Sequence, residues 1–204
     1  ELISLYDEYR QKKRPADLET LLLHNKEDVE GLVRLSVILS YDRLIGNALP
    51  EEAAFDVSLS GDLCSLRAVF PYSFPSKIVR NAREGVTISI ENESVSVDVP
   101  AVQKTLRRYY GDYRNYYYLP NEGYAVHKKI ASFMDPGSCV KATRDTAYTL
   151  HAGLFIPWFP GCQATRYYDS DLHSESYLKP EETDLRAYFS SVLHALLHTE
   201  TSRK

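Results

Sequence analysis

Val86–Val99, VTISIENESVSVDV, alternates apolar and polar residues on both sides of a short polar link. Successive side chains of an extended strand point to opposite faces. Val86, Ile88 and Ile90 therefore share one side, and so do Val95, Val97 and Val99. The link ENES (91–94) has the length and polarity of a turn, so the stretch predicts a β-hairpin. FDVSLS (55–60) repeats the period of two. CSLRAVF (64–70), SKIVRNA (76–82), RNYYYLP (114–120), CVKAT (139–143), AYTLH (147–151) and LFIPWF (154–159) are further short strand candidates. Alternation with one polar side predicts antiparallel sheet, packed on one face and wet on the other.

Upstream the period is helical. LISLYDEYRQKK (2–13) places Leu2, Leu5, Tyr6 and Tyr9 on one helix side, and Pro15 ends the run. Asp17 is a candidate N-cap for a second helix with Leu18, Leu21 and Leu22 inward. A third helix is expected through EDVEGLVRLSVILSYDRLI (27–45), stopping near Gly46. The change of period places a boundary at residues 46–52, with a helical segment over 1–46 and a β-rich domain over 52–204. One helix, YAVHKKIASFM (124–134), is expected to interrupt the strands with Val126, Ile130, Phe133 and Met134 inward. Another, EETDLRAYFSSVLHALLH (181–198), closes the chain with Leu185, Phe189, Val192, Leu193 and Leu196 as its stripe. The fold class is α+β: N-terminal helices, then an antiparallel β-rich domain, barrel or sandwich-like, with one inserted helix and a C-terminal helix.

The 204 residues are 44% hydrophobic and 25% charged, ordinary for a folded domain. No apolar run approaches the roughly 18 residues a membrane helix needs, so no membrane span is expected. Cys64, Cys139 and Cys162 are too few and too scattered for a disulfide framework, which fits reduced thiols and a cytoplasmic setting. The chain opens at Glu1 and its one methionine is Met134, so it reads as part of a longer polypeptide. His194 and His198 have zinc-like i, i+4 spacing, but H-E-x-x-H is absent, and they read as a helix flank. Cys64, Cys139, Cys162 and His151 have no spacing that demands a metal. Trp158, between Pro157 and Pro160, is expected on an edge strand as an exposed or interface aromatic.

Asp28 interrupts a leucine ridge, with His24 one turn before it on the same helix face. A buried carboxylate needs a partner. Either Asp28 pairs with an arginine such as Arg34 or lies at the stripe edge, or it serves a hard divalent cation, which prefers carboxylate oxygen.

HNKEDVEGLVRL (24–35) resembles the last motif of the DnaQ-like 3′–5′ exonucleases of the ribonuclease H-like superfamily, in particular the bacterial YprB-type proteins. NYYYLP (115–120) followed by AVHKKIASF (125–133) resembles the tail of the same group and extends the likeness over most of the chain. The resemblance implies that residues 1–46 are the terminal helices of a ribonuclease H-like domain. It also implies that Asp28 is the fourth acidic ligand of a two-metal centre holding Mg2+ or Mn2+, with His24 positioning the attacking water. The four-residue step from His24 to Asp28 matches tyrosine-bearing members rather than histidine-bearing ones. The other three acids would lie in an upstream catalytic domain of the parent polypeptide, acting in cis. One carboxylate does not hold two metals, so the chain alone is expected to bind none and to be inactive as a nuclease.

Six of the ten residues from Tyr109 to Tyr118 are tyrosine. Residues 101–148 hold eight Lys and Arg against four Asp and Glu, in a chain of net charge −4. Aromatic faces among cations suit single-stranded DNA or RNA, whose bases stack while phosphates are neutralised. Arg107, Arg108, Arg114, Tyr117, Lys128 and Lys129 are the expected groove. The alternative is an interaction module in which the tyrosines form core or a dimer interface with a second copy of the chain.

Overall fold

The computed structural model describes residues 2–46, 49–82, 85–135 and 137–197. The fold is α+β, with antiparallel sheets between N-terminal helices and a C-terminal helix. Three helices come first: α1 (Leu2–Lys12), α2 (Pro15–Ser36) and α3 (Leu39–Gly46). Pro15 opens α2 rather than merely ending α1, because its fixed φ and missing N–H suit the first helical position. Asp17 is therefore not the N-cap. It sits within the first turn, buried, with Arg14 Nε donating to its carboxylate at 2.8 Å. Helix α2 also runs unbroken through 24–28, so the second and third expected helices are divided at Val37 and Ile38 instead.

Strands β1 (Ala54–Ser60), β2 (Leu63–Val69), β3 (Ile78–Asn81), β4 (Thr87–Glu91) and β5 (Ser94–Pro100) form an antiparallel sheet in the order β1-β2-β5-β4-β3. The β4–β5 hairpin turns at Asn92, whose φ of 53° lies in the left-handed region that asparagine tolerates. Its inward set, Ile88, Ile90, Val95, Val97 and Val99, is buried. Helix α5 (Leu185–Leu197) joins this core through Phe189, Val192, Leu193 and Leu196, and Leu44 brings α3 into it. Full burial of one such side chain contributes roughly 1.5–3 kcal/mol.

A second unit is a closed ring of four strands: β6 (Val102–Tyr109), β10 (Tyr148–Pro157), β11 (Tyr167–Tyr168) and β12 (Ser176–Leu178). Its long members pair from Val102↔Phe155 to Tyr109↔Tyr148. Its interior is a small cluster of Leu106, Phe155, Tyr167 and Tyr177. The segments AYTLH and LFIPWF are thus one strand. Against the ring lies a small sheet of β7 (Tyr116–Leu119), β8 (Tyr124–His127) and β9 (Val140–Lys141), ordered β8-β7-β9.

The expected helix over 124–134 is mostly not one. Tyr124–His127 pairs with the tyrosine strand as β8, and only Lys128–Ala131 (α4) turns helical, capped by His127 Nδ1 accepting from the Lys129 N–H. Ile130 and Phe133 point outward, Phe133 at 91% exposure. Pairing with β7 satisfies the backbone of 124–127 and overrides a helical spacing that has no apolar surface to cover. Trp158 lies just past β10 rather than within a strand; half-buried, it packs on the core, with the Arg166 guanidinium 3.4 Å from its ring centroid. Cys64, Cys139 and Cys162 are free thiols. Among the described residues, no helix is long and apolar enough to cross a membrane.

Candidate nucleic-acid interface

His24 and Asp28 stand exposed on α2, and the side chain of neither forms an ion pair or hydrogen bond with a described residue. The leucine ridge beside them is not core in this chain. Leu32 and Leu35, which share the stripe with Asp28, are exposed, Leu32 at 66%, Leu39 beyond the helix end is exposed too, and Leu21 is half-buried. Asp28 therefore carries no desolvation cost here, and it is not paired with Arg34. Among the described residues no three His, Cys, Asp or Glu side chains converge to hold a metal, and His198 lies outside them.

The six expected contact residues do not form one groove. Arg107 and Arg108 leave opposite faces of β6. Arg107 is engaged within the protein: it donates to the Ser170 carbonyl and lies 4.7 Å from the Tyr148 ring centroid. Tyr117 emerges on the face of β7 opposite Tyr116 and Tyr118. Lys128 Nζ donates to Asn115 Oδ1 at 2.8 Å, Lys129 is exposed, and Arg114 lies 5.9 Å from the Tyr113 ring centroid.

Arg108 instead faces a half-open cleft of about 600 Å³, where Arg144, Arg166, Tyr110, Tyr113 and Tyr168 join it. Arg108 is 5.7 Å from the Tyr110 ring centroid. No carboxylate side chain lines the cleft, and none of its three arginines forms an ion pair with a described residue. Arg108, Tyr109 and Tyr110 form one wall, and Arg166 and Tyr168 of a second Arg-Tyr-Tyr tripeptide form another, the one feature in the sequence that could have linked them. Residues 108–113, Arg144 and residues 166–168 arrive from three separate segments, and no spacing along the chain announces the meeting.

Tyr110 is held from two sides. Its ring stacks on Tyr116 with centroids 4.3 Å apart and planes 11° apart. Its hydroxyl meets Thr149 Oγ1 at 2.9 Å, and Thr149 Oγ1 meets His151 Nε2 at 2.9 Å. Burial lowers the pKa of His151, with Lys179 and Arg108 adding to the effect. The imidazole is therefore neutral at neutral pH, with one ring nitrogen free to accept and the other to donate. Behind it, the buried phenol of Tyr167 donates to Glu182 Oε2 at 2.7 Å. The cleft thus offers fixed aromatic rings and uncompensated positive charge, an arrangement suited to planar anionic ligands. No family model, no curated protein and no solved structure matches this chain.

Proposed function

We propose that this chain is the C-terminal part of a cytoplasmic, metal-dependent 3′–5′ exonuclease of the ribonuclease H-like kind, acting on single-stranded DNA or RNA. In this reading α2 brings Asp28, with His24 beside it, to a catalytic body elsewhere in the parent polypeptide, and the β-rich part holds the strand. The observation that carries the reading is the uncovered ridge of α2, Leu32 and Leu35, whose stripe holds Asp28 and His24. A contiguous exposed apolar face of this kind marks a docking surface, and a helix that docks by that face carries its flanking carboxylate to the rim of the joint.

The described residues of this chain do not by themselves fit a resident two-metal centre. One carboxylate and one imidazole fall short of the oxygen-rich ligand set that Mg2+ or Mn2+ takes. The ions belong to the parent, where Asp28 would be one ligand among several. The test is Mg2+-dependent trimming of a 5′-labelled single strand by the parent polypeptide. Asp28→Asn is expected to abolish trimming and leave the fold intact; unchanged trimming overturns the reading.

The second reading is an interaction module closed by another copy of the chain, since the same α2 face could be covered that way. The tyrosines favour it less, because their rings pack on one another and on arginines within the chain, as in the Tyr109, Tyr148 and Tyr168 group. A concentration-dependent dimer, dissociated by Leu32→Glu, would support this alternative.

A further inference from the structure

We infer that the cleft of Arg108, Arg144, Arg166, Tyr110, Tyr113 and Tyr168 is the binding site for single-stranded nucleic acid, taking phosphate among the arginines and a base against the tyrosines. The inference names the site for the strand contact in the proposed function and rests on that reading for its biological setting.

Four observations carry it. First, three arginines line one cleft, Arg166 with its guanidinium against Trp158, with no carboxylate side chain lining it and no ion pair to a described residue. Like charges held together without a counter-ion favour an incoming anion. Second, a cleft of about 600 Å³ falls within the range of ligand-sized sites and has room for a nucleotide unit. Its half-open form lets a chain enter and leave. Third, Tyr110 is immobilised by its stack on Tyr116 and by its hydroxyl contact with Thr149. A platform fixed before the ligand arrives loses little freedom on binding. Fourth, Tyr168 meets Tyr109 edge-on at 83°, and the side chains of Tyr113 and Tyr168 are half-exposed at the cleft.

Single strands suit this composition better than duplex, because only unpaired bases present their faces to aromatic rings. An acidic or phosphorylated peptide would use the arginines but leave the tyrosines without a purpose.

The test uses the whole chain and fluorescence anisotropy of labelled dT12 and U12 across a salt series. Wild type is expected to bind at low salt and to weaken as salt rises. Replacing Arg108, Arg144 and Arg166 together by Gln should flatten the slope of log K against log salt by about 2. Tyr113→Ala and Tyr168→Ala should each weaken binding by about tenfold, within the range for loss of a stacking ring. Arg166 packs on Trp158, so R144Q alone is the second variant: its exposed side chain has no partner among the described residues, and it should flatten the slope by roughly 0.7. Lys77→Gln, whose side chain pairs with Glu91 on the five-stranded sheet, is the control outside the cleft and should leave the slope closest to wild type.

Unchanged slopes in the cleft variants, with wild-type binding intact, overturn this site and leave the nuclease reading standing. Failure of wild type to bind either oligonucleotide at low salt overturns the site as well, and the nuclease reading is then judged by trimming alone. Tighter binding of a phosphotyrosine peptide than of dT12 also overturns it, in favour of a protein ligand.

Discussion

Arg107 and Arg108 are adjacent in sequence and do opposite things: Arg107 donates to the Ser170 carbonyl and lies over Tyr148, whereas Arg108 turns into the cleft beside Tyr110. The division follows from strand alternation, since β6 sends neighbours to opposite faces. Arg107→Ala removes a charge-assisted hydrogen bond and a cation–π contact, and is expected to destabilise the chain by about 1–2 kcal/mol. Arg108→Ala is expected to weaken oligonucleotide binding with less effect on stability. Urea melts beside binding isotherms check the pair; equal effects of both substitutions on both quantities would contradict the assignment.

His151 makes the acid side of the stability curve informative. Its pKa is lowered in the folded chain, first by burial and then by Lys179 and Arg108. The unfolded chain takes up this proton near the ordinary imidazole value of about 6.5, while the folded chain takes it up only at lower pH. The unfolded state then binds more protons, so stability is complete above pH 6.5 and declines as pH falls through the lowered folded value. His151→Gln removes the titrating group but can still meet Thr149. Melting temperatures from pH 7.5 to 5 should fall less in the variant, and identical acid-side slopes would refute this role.

Phe189 and Leu32 separate core from uncovered surface. Phe189 is fully buried and meets Phe55 edge-on at 5.6 Å, tying α5 to the five-stranded sheet. Phe189→Ala should cost about 3–5 kcal/mol. Leu32→Ala, on the exposed side of α2, should change the stability of this chain by less than about 0.5 kcal/mol. If the parent's catalytic body covers that face, the same substitution should cost several-fold more there. Chemical denaturation of both polypeptides reads the difference, and equal costs in the two would argue against docking by this face.

Thiol reactivity should follow burial. Cys64 has no exposed surface, and burial pushes its thiol up to about 11, with Asp98 adding to the shift. Cys139 is half-exposed. A thiol reagent at pH 8 should label Cys139 in the native chain and reach Cys64 only on unfolding. Rapid native labelling of Cys64 would contradict the packing of the sheet.

The sequence revealed what its periods could carry. The β4–β5 hairpin and β2 alternate cleanly, and α5 keeps an apolar stripe, because each buries one regular face in a large shared core; β1 keeps the same period with Phe55 and Val57 half-buried against that core and Leu59 exposed. Strand β6 was illegible for a physical reason: its ring has a small interior, so only Leu106 of Val102–Tyr109 is buried and no alternation shows. Tyr124–Met134 fits a helical spacing as well as a strand, and only pairing with β7, a tertiary fact, decides it. The same holds for the binding surface. Composition pointed to Arg and Tyr between 107 and 118, but it could not show that Arg107 is engaged internally or that Arg144 and Arg166 complete the cleft. On α2, helical spacing found His24 and Asp28 together but left open whether the ridge around them packs on the β-rich domain or on an upstream part, and within this chain it is uncovered.

The most direct measurement of the central claim, that α2 delivers one ligand to a metal centre completed elsewhere in the parent polypeptide, is a Mn2+ titration followed by electron paramagnetic resonance. The parent is expected to bind two Mn2+ ions, its Asp28→Asn variant to lose or markedly weaken one of them, and the present chain alone to bind neither tightly. Two ions held with unchanged affinity after Asp28→Asn would contradict it.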